Sequence, residues 1–296
     1  MYPLGKTVNG KQKMVSLSSA YARLGLSLDQ SRIVPVPCGK CKGCLDSKIR
    51  DWRSRLILES KSNPPASFIT LTYRDSDLPS SPSKRHLQLF LKRLRNASRD
   101  YGVPPFALRY FLVSEYGDKT HRLHYHGLLF GVDLLTPAWS PKHVGFNRKG
   151  YPLYCSEVLG DIWPYGFNTV DHSTDSATSY LVNYILADDS NNICLYSQGI
   201  GRGFVLDSPY KPKSLNKYGD TIFRRGNFVH GRMDSLHSSP LPRSLYRYAE
   251  KYSPDLYELI KTSRRQIAAE MSFSSPSEVE RHIIHKWKES KENKTL

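Results

Sequence analysis

The pattern richest in chemistry is His124-Tyr125-His126. In a strand, alternate residues share a face, so both imidazoles project together, about 6.6 Å apart along the backbone. That spacing lets two rings converge on one metal ion. Glu115 or His121, across an intervening turn, can add a ligand, and strand register decides which. The second pattern is Tyr180 and Tyr184 in SYLVNYILA. Four residues apart on a helix, they point the same way. A phenol is a weak nucleophile at neutral pH because its ordinary pKa is near 10. A cation polarising the target phosphorus, together with in-line placement, compensates. The third pattern is Cys38, Cys41 and Cys44, whose two-residue gaps suit a single metal centre. Zinc expects four ligands, so Cys155, Cys194 or a His would have to complete the set. Unligated thiols in a turn are the competing reading.

These side chains need elements to position them. SFITLTY (67–73) has the composition of a strand. FALRYFLVSEY (106–116) and RLHYHGLLFG (122–131) read as a hairpin around GDKTH. Ser83 is an N-cap for a helix over 84–99, with Leu87, Phe90, Leu91 and Leu94 on one face and Lys84, Arg85, Lys92, Arg93, Arg95 and Arg99 on the other. A basic helix is predicted over about 46–60, stopped by Asn63, Pro64 and Pro65. A long loop with Pro137, Pro141, Gly145 and Gly150 precedes a short helix over 156–162, a brief strand over 168–171 and a helix over 176–187. Beyond Gly203 comes a Pro, Gly and Arg-rich stretch, then helices near 254–271 and 276–290. This order predicts an α+β fold, an antiparallel sheet backed by helices. Three regions follow: a basic N-terminal arm with the Cys cluster (1–60), a central domain (61–200) and a basic, mainly helical C-terminal extension (201–296).

Composition narrows the partners. The 296 residues include 43 Lys and Arg against 27 Asp and Glu, a net charge of +16. The excess is +7 over residues 1–60, +2 over 61–200 and +7 over 201–296. Such a balance favours an anionic partner, nucleic acid ahead of a membrane surface. Lys48, Arg50, Arg53, Arg55, Lys92 and Arg93 are candidates for DNA phosphates. Most of the 19 Tyr and 11 Phe are expected to pack, though aromatic rings can also stack unpaired bases. No apolar run nears the roughly 20 residues that span a bilayer, and the opening residues lack the apolar core of a signal peptide. The expectation is a soluble cytosolic protein with reduced thiols.

FITLTY, HYHGLLFG and YLVNY resemble the three ordered motifs of the HUH endonucleases, which nick single-stranded DNA through a tyrosine. The blocks PCGKCKGC, FITLTYRD, YFLVSEYGDKTHRLHYHGLLFG, ATSYLVNYILA, SQGIGRGF and LPRSLYRY are similar to successive blocks of the replication-initiation proteins of microviruses, the gokushoviruses above all. They run in order from about Pro37 to Tyr248. The resemblance implies that His124 and His126 hold Mg²⁺ or Mn²⁺, with Glu115 as the favoured third ligand. It implies that Tyr180 or Tyr184 attacks the scissile phosphate, stays joined to the 5′ end and frees a 3′ hydroxyl for rolling-circle synthesis. The ester energy is kept in the phosphotyrosine link, so rejoining needs no ATP. Origin DNA, a host helicase and a host polymerase would be the partners, in the cytoplasm of a bacterial cell. Related two-tyrosine proteins read YxxKYxxK, and here Asn183 and Ala187 stand at the lysine positions. Two rivals compete: a single-strand transposase or relaxase on the same core, which would lack PCGKCKGC and LPRSLYRY, and a non-catalytic basic DNA-binding protein.

Overall fold

Period-two burial along the central strands builds the platform for the site. A computed structural model describes residues 2–6, 12–15, 42–104, 106–117, 121–147, 150–173, 175–184, 192–206, 223–224, 227–232 and 235–270. Two compact units divide the chain, one comprising 1–48 with 267–296 and the other 49–266. The first contains the antiparallel hairpin of β1 (Tyr2–Lys6) and β2 (Gln12–Val15). The second carries the main sheet, seven antiparallel-paired strands in the order β6-β7-β8-β3-β5-β4-β9. These are β3 (Ala66–Tyr73), β4 (Arg109–Tyr116), β5 (Leu123–Phe130), β6 (Pro141–Phe146), β7 (Pro152–Ser156), β8 (Gly166–His172) and β9 (Cys194–Tyr196). The fold is α+β, as the motif order predicts.

Each face of the sheet has its own core. Ile69, Leu71 and Tyr73 of β3 and Leu123, Tyr125 and Leu129 of β5 pack with Leu87, Phe90, Leu91 and Leu94 of α2 (Lys84–Asp100), after α1 (Lys42–Ser62) in the chain. Leu159 and Ile162 of the short α3 (Glu157–Ile162) join the same core. Ser83 caps α2 by accepting the His86 N–H at 3.2 Å. The alternate residues face the other way. Phe111 and Val113 of β4 and Leu128 and Phe130 of β5 pack with Trp52 and Leu56 of α1, and with Leu181 and Val182 from the helix that carries the tyrosines. A third cluster joins Ile57 and Leu58 of α1 to Phe204, Leu245, Ala249, Leu256 and Ile260. Those residues come from three helices, Arg202–Leu206, Arg243–Tyr252 and Pro254–Glu270. Buried Glu59 of α1 lies 2.6 Å from Arg109 Nε and accepts the Gly201 N–H at 2.6 Å, at a backbone φ of +83°. Through these bonds the SQGIGRGF block is anchored to α1 and β4.

Gly127 follows the His pair because nothing larger fits. A Cβ there would press on Leu112 Cδ2 and sit 3.2 Å from Ile69 Cγ1, both side chains being fully buried. Gly127→Ala is expected to cost about 1–3 kcal/mol through overpacking. Urea unfolding should show it as a lower midpoint with an unchanged slope.

Several boundaries differ from expectation. α1 starts four residues before 46, so Cys44 lies in its first turn. The long loop expected before residue 156 instead contains a 3₁₀ turn, Pro137–Trp139, and strands β6 and β7. β6 is a largely exposed edge strand, where Pro141 needs no ladder partner and no apolar alternation is required. The helix Arg243–Tyr252 and the three-stranded sheet over 223–224, 227–232 and 235–240 replace much of the stretch read as irregular. The helix expected near 276–290 lies outside the described residues. Among the described residues, no helix is long and apolar enough to cross a membrane.

Candidate functional site

Strand register brings the candidate ligands together. On β4 and β5, Glu115 pairs directly with His124, and Val113 with His126. All three chemical side chains therefore project from one sheet face, and their ligand atoms lie within 4.8 Å of one another. Glu115 is 8% exposed and His126 9%. Glu115 Oε2 lies 2.7 Å from His126 Nε2 and 3.5 Å from His124 Nε2. The far ring nitrogens are taken: His124 Nδ1 donates to the Arg122 carbonyl at 2.9 Å, and His126 Nδ1 meets Thr70 Oγ1 at 2.9 Å. Such outer bonds fix ring orientation and leave each Nε2 for a cation. His121, the other candidate, sits exposed in the turn with φ at +48°.

Whether these residues fit a divalent ion can be asked of one atom. His126 Nε2 is buried and has no aligned hydrogen bond, although Glu115 Oε2 is at hydrogen-bonding distance. The ring edge is not aimed along that line, so the nitrogen has a nearby anion but no donor geometry. Two inward imidazole nitrogens and a carboxylate oxygen around such a point are a suitable donor set for a cation.

The tyrosines approach from α4 (Asp175–Asn183), whose Leu181 and Val182 are buried against the same face. Tyr180 is on the helix and Tyr184 immediately follows it. The Tyr184 hydroxyl donates to Glu115 Oε1 at 2.7 Å, and that of Tyr180 lies 3.1 Å from Oε2 and 3.3 Å from Oε1. Their rings are 4.9 Å apart, and His126 lies 5.5 Å from Tyr180 and 6.3 Å from Tyr184. Tyr180 is the more open, at 42% exposed. Asn183, where relatives carry Lys, is exposed on the helix, and Ala187 lies outside the described residues.

Electrostatics follow from this crowding. Burial pushes the Glu115 carboxyl up, but His124, His126 and Tyr184 around it outweigh burial and hold it well below the usual carboxylate range. Burial lowers His126, more than the Glu115 charge raises it. Burial, then the bond with Tyr180 and the charge of Glu115, push the Tyr184 phenol up. Two of these shifts make stability depend on pH in the same sense. Below pH 6.5 the unfolded chain binds a proton at residue 126 that the fold resists, so stability falls as pH falls until the folded pKa is passed. Glu115 contributes stability above its unfolded value of 4.5, and this is lost as pH drops through its depressed folded value. In chelator, the urea midpoint should decline from pH 7 toward pH 4, and His126→Gln should flatten the upper part of that decline while sparing the lower.

The remaining candidates are dispersed. Arg55 is half-buried, its guanidinium 3.9 Å over the Trp52 ring and its Nε bonded to the Ile200 carbonyl, while Arg53 is partly buried. Lys48 and Arg50 are exposed on α1. Lys92, exposed, and Arg93, bonded to the Ile162 carbonyl, belong to α2, on the sheet face away from Glu115. Cys38 and Cys41 lie outside the described residues. Cys155 and Cys194 sit on β7 and β9, five strand steps or about 24 Å apart, so they cannot both complete one site. Thr70 is a site residue that the search for ligands passes over. The alternation of FITLTY places it opposite Ile69 and Leu71, on the same face as Thr72, and that pattern is the signal that finds it.

The family model of the replication-associated proteins of ORF2 type matches residues 66–189, which include the whole cluster. The chain is 30% identical over 182 residues to the replication-associated protein ORF4 of Chlamydia phage 1, covering 58% of this chain and 43% of that one. It is 33% identical over 156 residues to the replication-associated protein ORF2 of Spiroplasma virus 4, covering 50% and 47%. The chain belongs to the microvirus-type replication-associated proteins. A third member, VP4 of Bdellovibrio phage phiMH2K, is 29% identical over 237 residues, 74% of this chain and 69% of its own length. The chain spans about half the length of the first two relatives. No solved structure matches it significantly.

Proposed function

We propose that the chain is a replication initiator that nicks single-stranded DNA through Tyr180 or Tyr184, in the manner of the HUH endonucleases. One observation carries this reading: both phenol oxygens donate to Glu115, the carboxylate that also faces both imidazole Nε2 atoms. Nucleophiles and cation ligands thus converge on the volume that one phosphate would occupy. Mg²⁺ or Mn²⁺ held by Glu115, His124 and His126 would act as a Lewis acid on the scissile phosphate and offset the Glu115 charge. Thr70 and the Arg122 carbonyl keep the two imidazoles oriented. Glu115 holds each phenol by its hydrogen bond, aiming the oxygen at the site. In the reaction a tyrosine Oη–P bond forms and the P–O3′ bond breaks. The phenol proton is lost and the departing O3′ takes one up, so the products are a 5′-phosphotyrosine and a 3′ hydroxyl. A second tyrosine on the same carboxylate allows a second cut while the first end is held. Origin DNA, with a host helicase and polymerase acting on the freed 3′ end, completes the role in a bacterial cytoplasm.

The test is covalent. Incubation with circular single-stranded phage DNA and Mn²⁺ should give a protein–DNA adduct that survives SDS and disappears with chelator. A wild-type protein that binds the circles but forms no adduct with either Mn²⁺ or Mg²⁺ would instead be a non-catalytic DNA-binding protein.

A further inference from the structure

Phe167 is 66% exposed, yet it lies on β8, an inner strand between β7 and β3. Its neighbours on the strand, Asn168 and Val170, are buried on the opposite face. Register shows what Phe167 faces. It pairs with Thr72 on β3, Thr72 with His124 on β5, and His124 with Glu115 on β4. These four residues form one row across four strands and share a face. The next row is Thr169, Thr70, His126 and Val113. Two strand spacings, about 10 Å, separate Phe167 from His124. Thr70, Thr72 and Thr169, all partly exposed, lie between the ring and the imidazoles. The helices covering this face pack over Phe111, Val113 and Leu128 on β4 and β5, and no ring of the described residues stacks on Phe167.

We propose that Phe167 is the stacking platform for the base of a nucleotide adjoining the phosphate at Glu115, His124 and His126. Along the row a ligand meets cation ligands, then hydroxyls, then an apolar ring. That is the order of chemistry in a nucleotide: phosphate, sugar, base. Every base has a π-face, so the contact tolerates sequence variation and suits single-stranded DNA. The net charge of +16 draws a polyanion toward the protein. The inference rests on the nicking reading for the position of the phosphate and adds to it a residue that touches none of the catalytic cluster.

The experiment measures binding by the full chain to a fluorescein-labelled oligothymidylate and to an abasic strand of equal length, at fixed salt. Phe167→Ala should weaken oligothymidylate binding by roughly 5- to 150-fold, the equivalent of one lost stack. Its affinity for the abasic strand should stay within about twofold of wild type, and Phe167→Trp should bind oligothymidylate as wild type does. Oligothymidylate binding by Phe167→Ala within about twofold of wild type, or an equal loss on the abasic strand, would overturn the proposal. The Mn²⁺ adduct assay run beside it separates the two ideas. Adduct formation without a Phe167 effect removes only the stacking role, whereas a Phe167 effect without any adduct supports stacking and removes the nicking reading.

Discussion

Replacing both Tyr180 and Tyr184 by phenylalanine is expected to abolish the SDS-resistant DNA adduct, while each single replacement leaves part of it. The phenylalanine rings fill the volumes of the tyrosine rings, so Leu181 and Val182 keep their places against the sheet. Only the two hydroxyls near Glu115 are lost. Each single variant keeps one phenol on that carboxylate, at 2.7 Å for Tyr184 or 3.1 Å for Tyr180, so one nucleophile remains poised. Denaturing gels of the three variants, with binding to the same DNA measured in parallel, check this. An adduct that persists in the double variant would remove both residues from the reaction.

Glu115→Gln is the second large effect. The substitution preserves shape but removes the charge on which two imidazoles and two phenols converge. Mn²⁺ affinity and the rate of adduct formation should each fall by at least about 100-fold, since even the loss of an outer partner of a metal ligand costs 10- to 100-fold. Calorimetric titration with Mn²⁺ and timed adduct assays provide the two readouts. The same change acts on Tyr184 in the opposite sense. Burial is the larger cause of its raised phenol pKa and persists, but the contribution from the Glu115 charge disappears. The Tyr184 phenol should therefore ionise at lower pH in Glu115→Gln than in wild type, as followed by tyrosinate absorbance against a Tyr184→Phe control. A variant with easier ionisation but no adduct would show that the carboxylate acts by holding the cation and the phenols, not by setting phenol acidity.

Much of this arrangement is legible along the chain because it rests on short periods. His124 and His126 share a face by strand alternation, and Tyr180 and Tyr184 by helical spacing. Glu115 is one of two candidates until pairing with His124 places it over the imidazoles and leaves His121 in the turn. Register depends on how many residues the turn takes up, which local pattern does not specify. The phosphate contacts expected of α1 and α2 are the least legible. Arg55 reads as a surface cation, but its side chain lies over Trp52 and reaches the Ile200 carbonyl, a contact made across 145 residues. Helical periodicity separates the apolar side of α2 from the side bearing Lys92 and Arg93, but it does not say which sheet face that apolar side covers. That follows only from strand order: β5 inserts between the parallel β3 and β4, and a right-handed connection then places α2 opposite the site. Strands β6 and β7 leave little trace in the sequence because an exposed edge needs little apolar patterning.

The central claim is that a phenol beside the Glu115, His124 and His126 cluster becomes bonded to DNA. Its most direct test is peptide mapping by mass spectrometry of the adduct formed in Mn²⁺, after nuclease trimming to a single nucleotide. A nucleotide on Tyr180 or Tyr184, through a phosphodiester to the phenol oxygen, is the predicted result. A nucleotide on any other side chain would contradict it.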